Sequence, residues 1–233
     1  MSITDQSIVR DATKMQQWLE SDFDTTSVAS FKAGPGIAKL ELTFDIDELR
    51  KAYIEVEKHI ESIGSGFHVL ALTRRPGIEV PEPYDLIGRF WTRTDDTYRE
   101  YARDEMVDES LFSEFNPLFK DTYFEDVYRE LTQRFPIGRM RILKKDIYNC
   151  NSWHRDPEPR LHIPVISNPG SLFVVNHHCT HLPADGSVYF TDTRGYHTAF
   201  NGGEDPRVHI VAALPYEGAM VSDAQFAQQA IKE

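Results

Sequence analysis

Cysteine is nearly absent from this chain of 233 residues: Cys150 and Cys179 are the only two. Two thiols build neither a disulfide scaffold nor a four-thiolate zinc site. Each is expected to be an ordinary buried or partly buried thiol. No apolar run approaches the roughly 18–20 residues that span a bilayer, and the mean hydropathy is −0.45. The opening segment MSITDQSIVRDATKMQQWLE has no basic region followed by an apolar block, so no leader peptide is expected and a cytoplasmic protein without a membrane partner is the default. Basic charge is also in deficit. Lys and Arg number 25 against 37 Asp and Glu, a net charge of −12, which argues against a nucleic-acid partner, since such binding draws on neutralised phosphates. A Gly-rich phosphate loop, a serine nucleophile elbow and a solenoid-length repeat are all missing.

What is present suffices for a large core: hydrophobic residues make up 40% and aromatics 12%. The spacing of Met15, Trp18 and Leu19 predicts a helix within residues 1–22, and GIAKLELTF (36–44) reads as a strand. In residues 46–62, Leu49, Tyr53, Val56 and Ile60 fall three or four apart, which predicts a helix stopped by Gly64. GFHVLALTRR (66–75) is a second strand. Residues 76–120 are irregular and broken by prolines, in the manner of a lid, a binding loop or a surface excursion. Trp91 lies there, as mouth lining or, more simply, as core. Residues 122–134 predict an amphipathic helix ended by Pro136. From 139 onward, RMRILKKDIY, RLHIPVI, SLFVVN, GSVYFTDT and RVHIVAAL are short β-prone runs separated by Gly, Pro, Asn and Asp. Such punctuation predicts a sandwich or jelly roll. The chain therefore reads as one domain, 1–233. A mixed N-terminal support (1–138) leads into a β-rich core (139–215), and a closing helix is expected within 216–233.

Five of the nine histidines lie between positions 154 and 181. His154 and Asp156 form a His-x-Asp pair, and His197 follows a later strand. Two imidazoles and one carboxylate can occupy one face of an octahedral ion and leave three positions open, an arrangement that suits non-haem Fe(II). His-x-Asp alone arises by chance in many chains, and Arg207, ten residues after His197, strengthens it. Strand alternation puts Arg207 and His209 on one face of RVHIVAAL, and Arg160 and His162 on one face of RLHIPVI. Two Arg-x-His faces suggest a pocket for a dicarboxylate, whose geometry the guanidinium fork matches. The alternative is structural ion pairing with acids such as Asp192 or Glu158. The run HHCTH (177–181) lacks a second ligand cluster and reads as an edge turn. Asp192 reads as a supporting or turn residue, and Trp153 as a neighbour packed on the metal site.

The segment 139–215 resembles the double-stranded β-helix core of the aspartyl/asparaginyl β-hydroxylase family of Fe(II)/2-oxoglutarate oxygenases, whose relatives include proline cis-4-hydroxylase. The likeness is carried by HRD (154–156), RLHIPV (160–165), HLPADGSVYFTDT (181–193), GYH (195–197) and PRVHIV (206–211). It implies a mainly β, cupin-like fold with flanking helices. It also implies Fe(II) on His154, Asp156 and His197, and Arg207 on the distal carboxylate of 2-oxoglutarate, with His162 and Arg160 close to that co-substrate. The implied reaction consumes O2 and 2-oxoglutarate, releases succinate and CO2, and hydroxylates an unactivated C–H bond of an amino acid, free, peptidyl or within a small metabolite. Two rivals are a metal-dependent cupin enzyme that does not use 2-oxoglutarate, which leaves Arg207 unexplained, and a non-catalytic jelly-roll binding module, whose mark is a lost triad member.

Overall fold

A computed structural model describes residues 16–17, 20, 31–88, 90–93 and 99–215. The helix expected within 1–22 lies almost wholly outside these residues, and the one expected within 216–233 lies wholly outside them. The N-terminal part contributes β1 (Ile37–Thr43), α1 (Ile46–Val56), β2 (Glu61–Gly64), β3 (Phe67–Ala71), β4 (Thr73–Arg74), α2 (Pro83–Leu86), β5 (Trp91–Arg93), β6 (Glu100–Ala102), β7 (Glu114–Phe115) and α3 (Tyr123–Arg134). The C-terminal part is all strand: β8 (Met140–Lys145), β9 (Asn149–Cys150), β10 (His154–Arg155), β11 (Arg160–Ile166), β12 (Ser171–Val175), β13 (His178–His181), β14 (Ser187–Thr191), β15 (His197–Asn201) and β16 (Arg207–Ala213).

Helix α1 begins where Asp45 accepts the amides of Asp47 (2.9 Å) and Glu48 (3.2 Å). Acidic residues in its first turn complement the helix dipole. It ends sooner than the apolar spacing suggested. The α-helix stops at Val56, a 3-10 turn covers Glu57–His59, and Glu61–Gly64 pairs with β3 as a strand. Gly64, Ser65 and Gly66 all have positive φ, so the hairpin between β2 and β3 captures residues that periodicity assigned to the helix.

Two antiparallel sheets face each other. The larger runs β1-β14-β11-β16-β8-β3-β2, the smaller β13-β12-β15-β10-β5-β6, with β9 also on β15. From β8 to β16 the chain alternates between them so that the central orders interleave as a jelly roll, or double-stranded β-helix. The fold is mainly β with flanking helices. The larger sheet is buried on both sides. Its outer face (Ile142, Leu161, Ile163, Val165, Val208, Ile210) packs under Leu49, Tyr53, Phe124, Val127 and Leu131 of α1 and α3. Period-2 alternation then turns Arg141, Lys145, Arg160, His162, Arg207 and His209 inward, and all six are buried. A polar inner face on a doubly covered sheet costs stability unless each group finds a partner, so this face defines the interior site.

Candidate metal centre

β10 and β15 pair with His154 opposite His197, so the two imidazoles emerge side by side from the inner face of the smaller sheet. Their ring centroids are 4.3 Å apart. Asp156, two residues beyond His154, is held by its own amide on the Thr193 carbonyl (2.8 Å). Its carboxylate lies 4.0 Å from His154 Nε2 and 3.5 Å from His197 Nε2. One ligand atom from each residue falls within 4.8 Å of the others, and all three residues are buried. Backbone carbonyls set the tautomers. His154 Nδ1–H donates to Ser152 O (2.6 Å) and His197 Nδ1–H to Gly195 O (3.1 Å). A carbonyl only accepts, so each Nδ1 carries the proton and each Nε2 presents a lone pair inward. Three electron-rich atoms converging in a buried site repel one another unless a cation lies between them. Two neutral imidazoles and a carboxylate fit a divalent transition ion.

The protonation states agree with that role. Burial pushes the His197 imidazole down to about 4, with His154 acting in the same sense, and this keeps the ring neutral. Burial works against the Asp156 carboxylate, but the positive charge of Arg160, and of Arg141 behind it, outweighs that and holds its pKa below the ordinary value. Arg160 is the closest of these, with Nε 3.0 Å from Asp156 Oδ2. Arg160 also meets Glu158 at 3.1 Å and Glu109 at 3.5 Å. Glu109 in turn forms a completely buried pair with Arg139. Arg160 therefore lines the cavity as a member of a structural ion-pair cluster that includes the metal-facing carboxylate.

Arg207 is different. It is 2% exposed, it donates to His209 Nδ1 at 3.1 Å, and among the described residues no carboxylate pairs with it. Arginine only donates, so His209 Nδ1 is unprotonated, and His162 Nδ1, 3.4 Å away, is the partner able to carry a proton toward it. Among the described residues, Arg207 Nε and the Nε2 atoms of His162 and His209 have no hydrogen-bond partner. Lys145 stands opposite Arg207 in the β8–β16 register. Its ammonium is held by the side-chain carbonyls of Asn149 (3.0 Å) and Asn151 and lies 4.8 Å over the Phe67 ring. Burial first, then Arg207, pushes Lys145 down to about 7, and burial lowers Arg207 to about 9. One cavity of about 280 Å³ is lined both by the triad and by this cationic end.

Other expectations fared differently. Cys150 and Cys179 are exposed, not buried, because both sit on short strands at the rim of the smaller sheet. Trp153 packs against His177 and Tyr196 instead of the metal-facing rings, since its side chain points away from the inner face that His154 occupies. Trp91 is half-buried beneath the Arg155 guanidinium, on the outer side of the β5–β10 pair. Asp192 is a turn residue that binds Arg194. HHCTH is the second arm of a hairpin whose turn residues, Asn176 and His177, have φ of 47° and 71°. The sequence reading missed Arg141, Lys145 and Glu109. Arg141 and Lys145 were within reach, because the run 139–145 puts positions 139, 141, 143 and 145 on one face. Glu109 had no local signal.

No family model matches the chain, and no curated protein matches it. Solved structures do. An oxidoreductase of the 2OG-Fe(II) oxygenase family from Burkholderia pseudomallei has 18% identity and a TM-score of 0.43, over 77% of this chain and 84% of that one. A viral collagen prolyl hydroxylase from Paramecium Bursaria Chlorella virus-1, in complex with 2OG, has 9% identity and a TM-score of 0.44, over 77% and 96%. A Pseudomonas putida prolyl-4-hydroxylase has 10% identity and a TM-score of 0.43, over 78% and 93%. At these values the functional reading rests on the side chains of this chain.

Proposed function

We propose that this protein is an Fe(II)- and 2-oxoglutarate-dependent dioxygenase that hydroxylates an unactivated C–H bond of an amino acid or amino-acid-derived compound. It releases succinate and CO2, and the resemblance of segment 139–215 to the aspartyl/asparaginyl β-hydroxylases belongs to the same proposal. One observation carries it. A buried His154–Asp156–His197 donor set shares a cavity with Arg207 and Lys145, two buried cations that no carboxylate of the described chain neutralises. A cupin that uses only a metal has no need of that cationic end, and a binding module has no need of three converging ligand atoms.

The geometry supports the following roles. His154 and His197 offer Nε2 and Asp156 one carboxylate oxygen, while Arg160 keeps Asp156 ionised and oriented. An Fe(II) ion held by these three residues would supply, with 2-oxoglutarate and O2, the oxidising power for C–H hydroxylation. Arg207 and Lys145 would hold the distal carboxylate of the co-substrate. Phe173, stacked 5.7 Å from the His197 ring and tilted against that of His162 at 4.8 Å, gives this face of the cavity an apolar wall.

The test is anaerobic calorimetry with Fe(II), followed by succinate detection in air. Wild-type protein is expected to bind Fe(II), then 2-oxoglutarate, and to release succinate slowly without any prime substrate. His154→Ala and His197→Ala should each weaken metal binding at least tenfold and abolish succinate release. Full iron affinity in either variant would refute the ligand assignment, and a wild type that never yields succinate would refute the oxygenase.

A further inference from the structure

Among the described residues, the cavity is lined by four cationic side chains, Arg141, Lys145, Arg160 and Arg207, and by a single carboxylate, Asp156. Arg160 is answered by Asp156, Glu158 and Glu109. Lys145 and Arg207 face each other at one end of the β8–β16 pair, where the co-substrate carboxylate is placed above. Arg141 remains. It is 5% exposed, donates one N–H to the Leu86 carbonyl at 2.5 Å, leaves Nε without a partner, and has no carboxylate partner among the described residues. It stands opposite Val211, four residues along β8 from the Lys145–Arg207 pair. That separation is roughly 13 Å at about 3.3 Å per strand residue. Arg141 therefore lies toward the triad, away from the Lys145–Arg207 end that takes a distal carboxylate.

We infer that Arg141 is a specificity-determining residue for the prime substrate: it receives a carboxylate of that substrate, at a subsite of the cavity separate from the Lys145–Arg207 end. This inference rests on the oxygenase reading and narrows its substrate to a molecule bearing a free carboxylate. Charge accounting supports it. Asp156 and Glu109 act on Arg141 only through space and are both engaged by Arg160, and a divalent ion with dianionic 2-oxoglutarate adds no net negative charge, so Arg141 has no acid of its own after both are bound. Geometry supports it too. Ile87 and Gly88, directly after α2, line the cavity next to the Leu86 carbonyl that holds Arg141, so the subsite has an apolar wall beside its cation. A planar fork with four N–H donors still uncommitted suits a carboxylate, which it grips through two parallel bonds.

The test uses acetate, the minimal carboxylate, against the full chain loaded with Mn(II) as a redox-inert metal and saturated with 2-oxoglutarate. Melting temperature is followed at constant ionic strength as acetate replaces chloride. Wild type should show a saturable rise with acetate. Arg141→Gln should weaken apparent acetate affinity at least tenfold while its stabilisation by 2-oxoglutarate stays as in wild type. An acetate response equal to wild type in Arg141→Gln, or none in wild type, overturns the inference. If the Gln variant does not fold, Arg141→Lys replaces it. Weaker acetate binding is expected there because an ammonium lacks the fork, and undiminished affinity overturns the inference. A wild type that ignores 2-oxoglutarate but binds acetate through Arg141 overturns the oxygenase reading and leaves the carboxylate subsite standing.

Discussion

At the residue scale, Arg207 separates an anchoring role from a structural one. A buried guanidinium without an acid is a burden on the folded state, so its removal should not unfold the protein. Arg207→Ala is expected to raise the dissociation constant for 2-oxoglutarate by about one to two decades, the equivalent of about 1.5–3 kcal/mol for a charge-assisted contact. Its melting temperature without ligand should stay near that of wild type. Arg207→Lys should recover only part of the affinity. A large fall in melting temperature with unchanged affinity would make Arg207 a structural residue. The neighbouring arginine shows why such a distinction is hard to draw from sequence. Arg160 and Arg207 share an Arg-x-His pattern and an inward face, yet Arg160 is tied to Glu109, Glu158 and Asp156. Strand alternation reveals the direction of a side chain and says nothing about which distant acid will meet it. The triad was legible for the opposite reason: His154 and Asp156 are two residues apart, and the strand pairing that brings in His197 belongs to the jelly roll itself.

At the element scale, the irregular stretch 76–120 proves to be part of the site's support. Its pieces attach through pairings of two or three residues, β4 with β7 and β5 with both β6 and β10, which are too short to leave a periodic signal. The 3-10 turn Glu109–Leu111 then inserts Glu109 beneath Arg139 with both side chains wholly buried. The strands from 139 to 213 were legible because β-branched runs alternate with turn residues. The end of α1 was not, because a positive-φ hairpin competed with helical spacing. Losing one partner of a buried ion pair strands the other charge, at about 3–5 kcal/mol. Glu109→Gln should therefore lower the unfolding free energy in urea by about that amount, although the residue touches no ligand. Replacing the pair together, Glu109→Leu with Arg139→Met, should recover part of the loss, because Arg160 still loses one of its three acids. A Glu109→Gln protein as stable as wild type would show that the pair does not hold this segment to the core.

At the scale of the whole molecule, an inner face built of cations couples stability and co-substrate binding to pH with a definite sign. Lys145 titrates near 7 in the fold against 10.5 for an ordinary lysine, because of burial and then Arg207, with Cys150 opposing weakly. Below about pH 7 both folded and unfolded chains hold the proton, and Lys145 contributes no slope. Between about 7 and 10.5 the unfolded chain binds more protons than the native one, so this group makes the ligand-free protein more stable as pH rises. Arg207, lowered to about 9, acts in the same direction at higher pH. A dianion bound beside them reverses the local field and restores the ordinary preference for the charged form. Binding of 2-oxoglutarate at pH 8.5 should therefore take up protons, approaching one per site, and its affinity should fall as pH rises above 7. Calorimetry in two buffers of different ionisation enthalpy measures the uptake directly. It should fade at pH 6, where Lys145 is already charged, and at pH 8.5 it should largely disappear in Lys145→Gln. Binding without proton exchange at pH 8.5 would mean that the co-substrate carboxylate does not meet Lys145, and the cationic end of the cavity would then need another occupant.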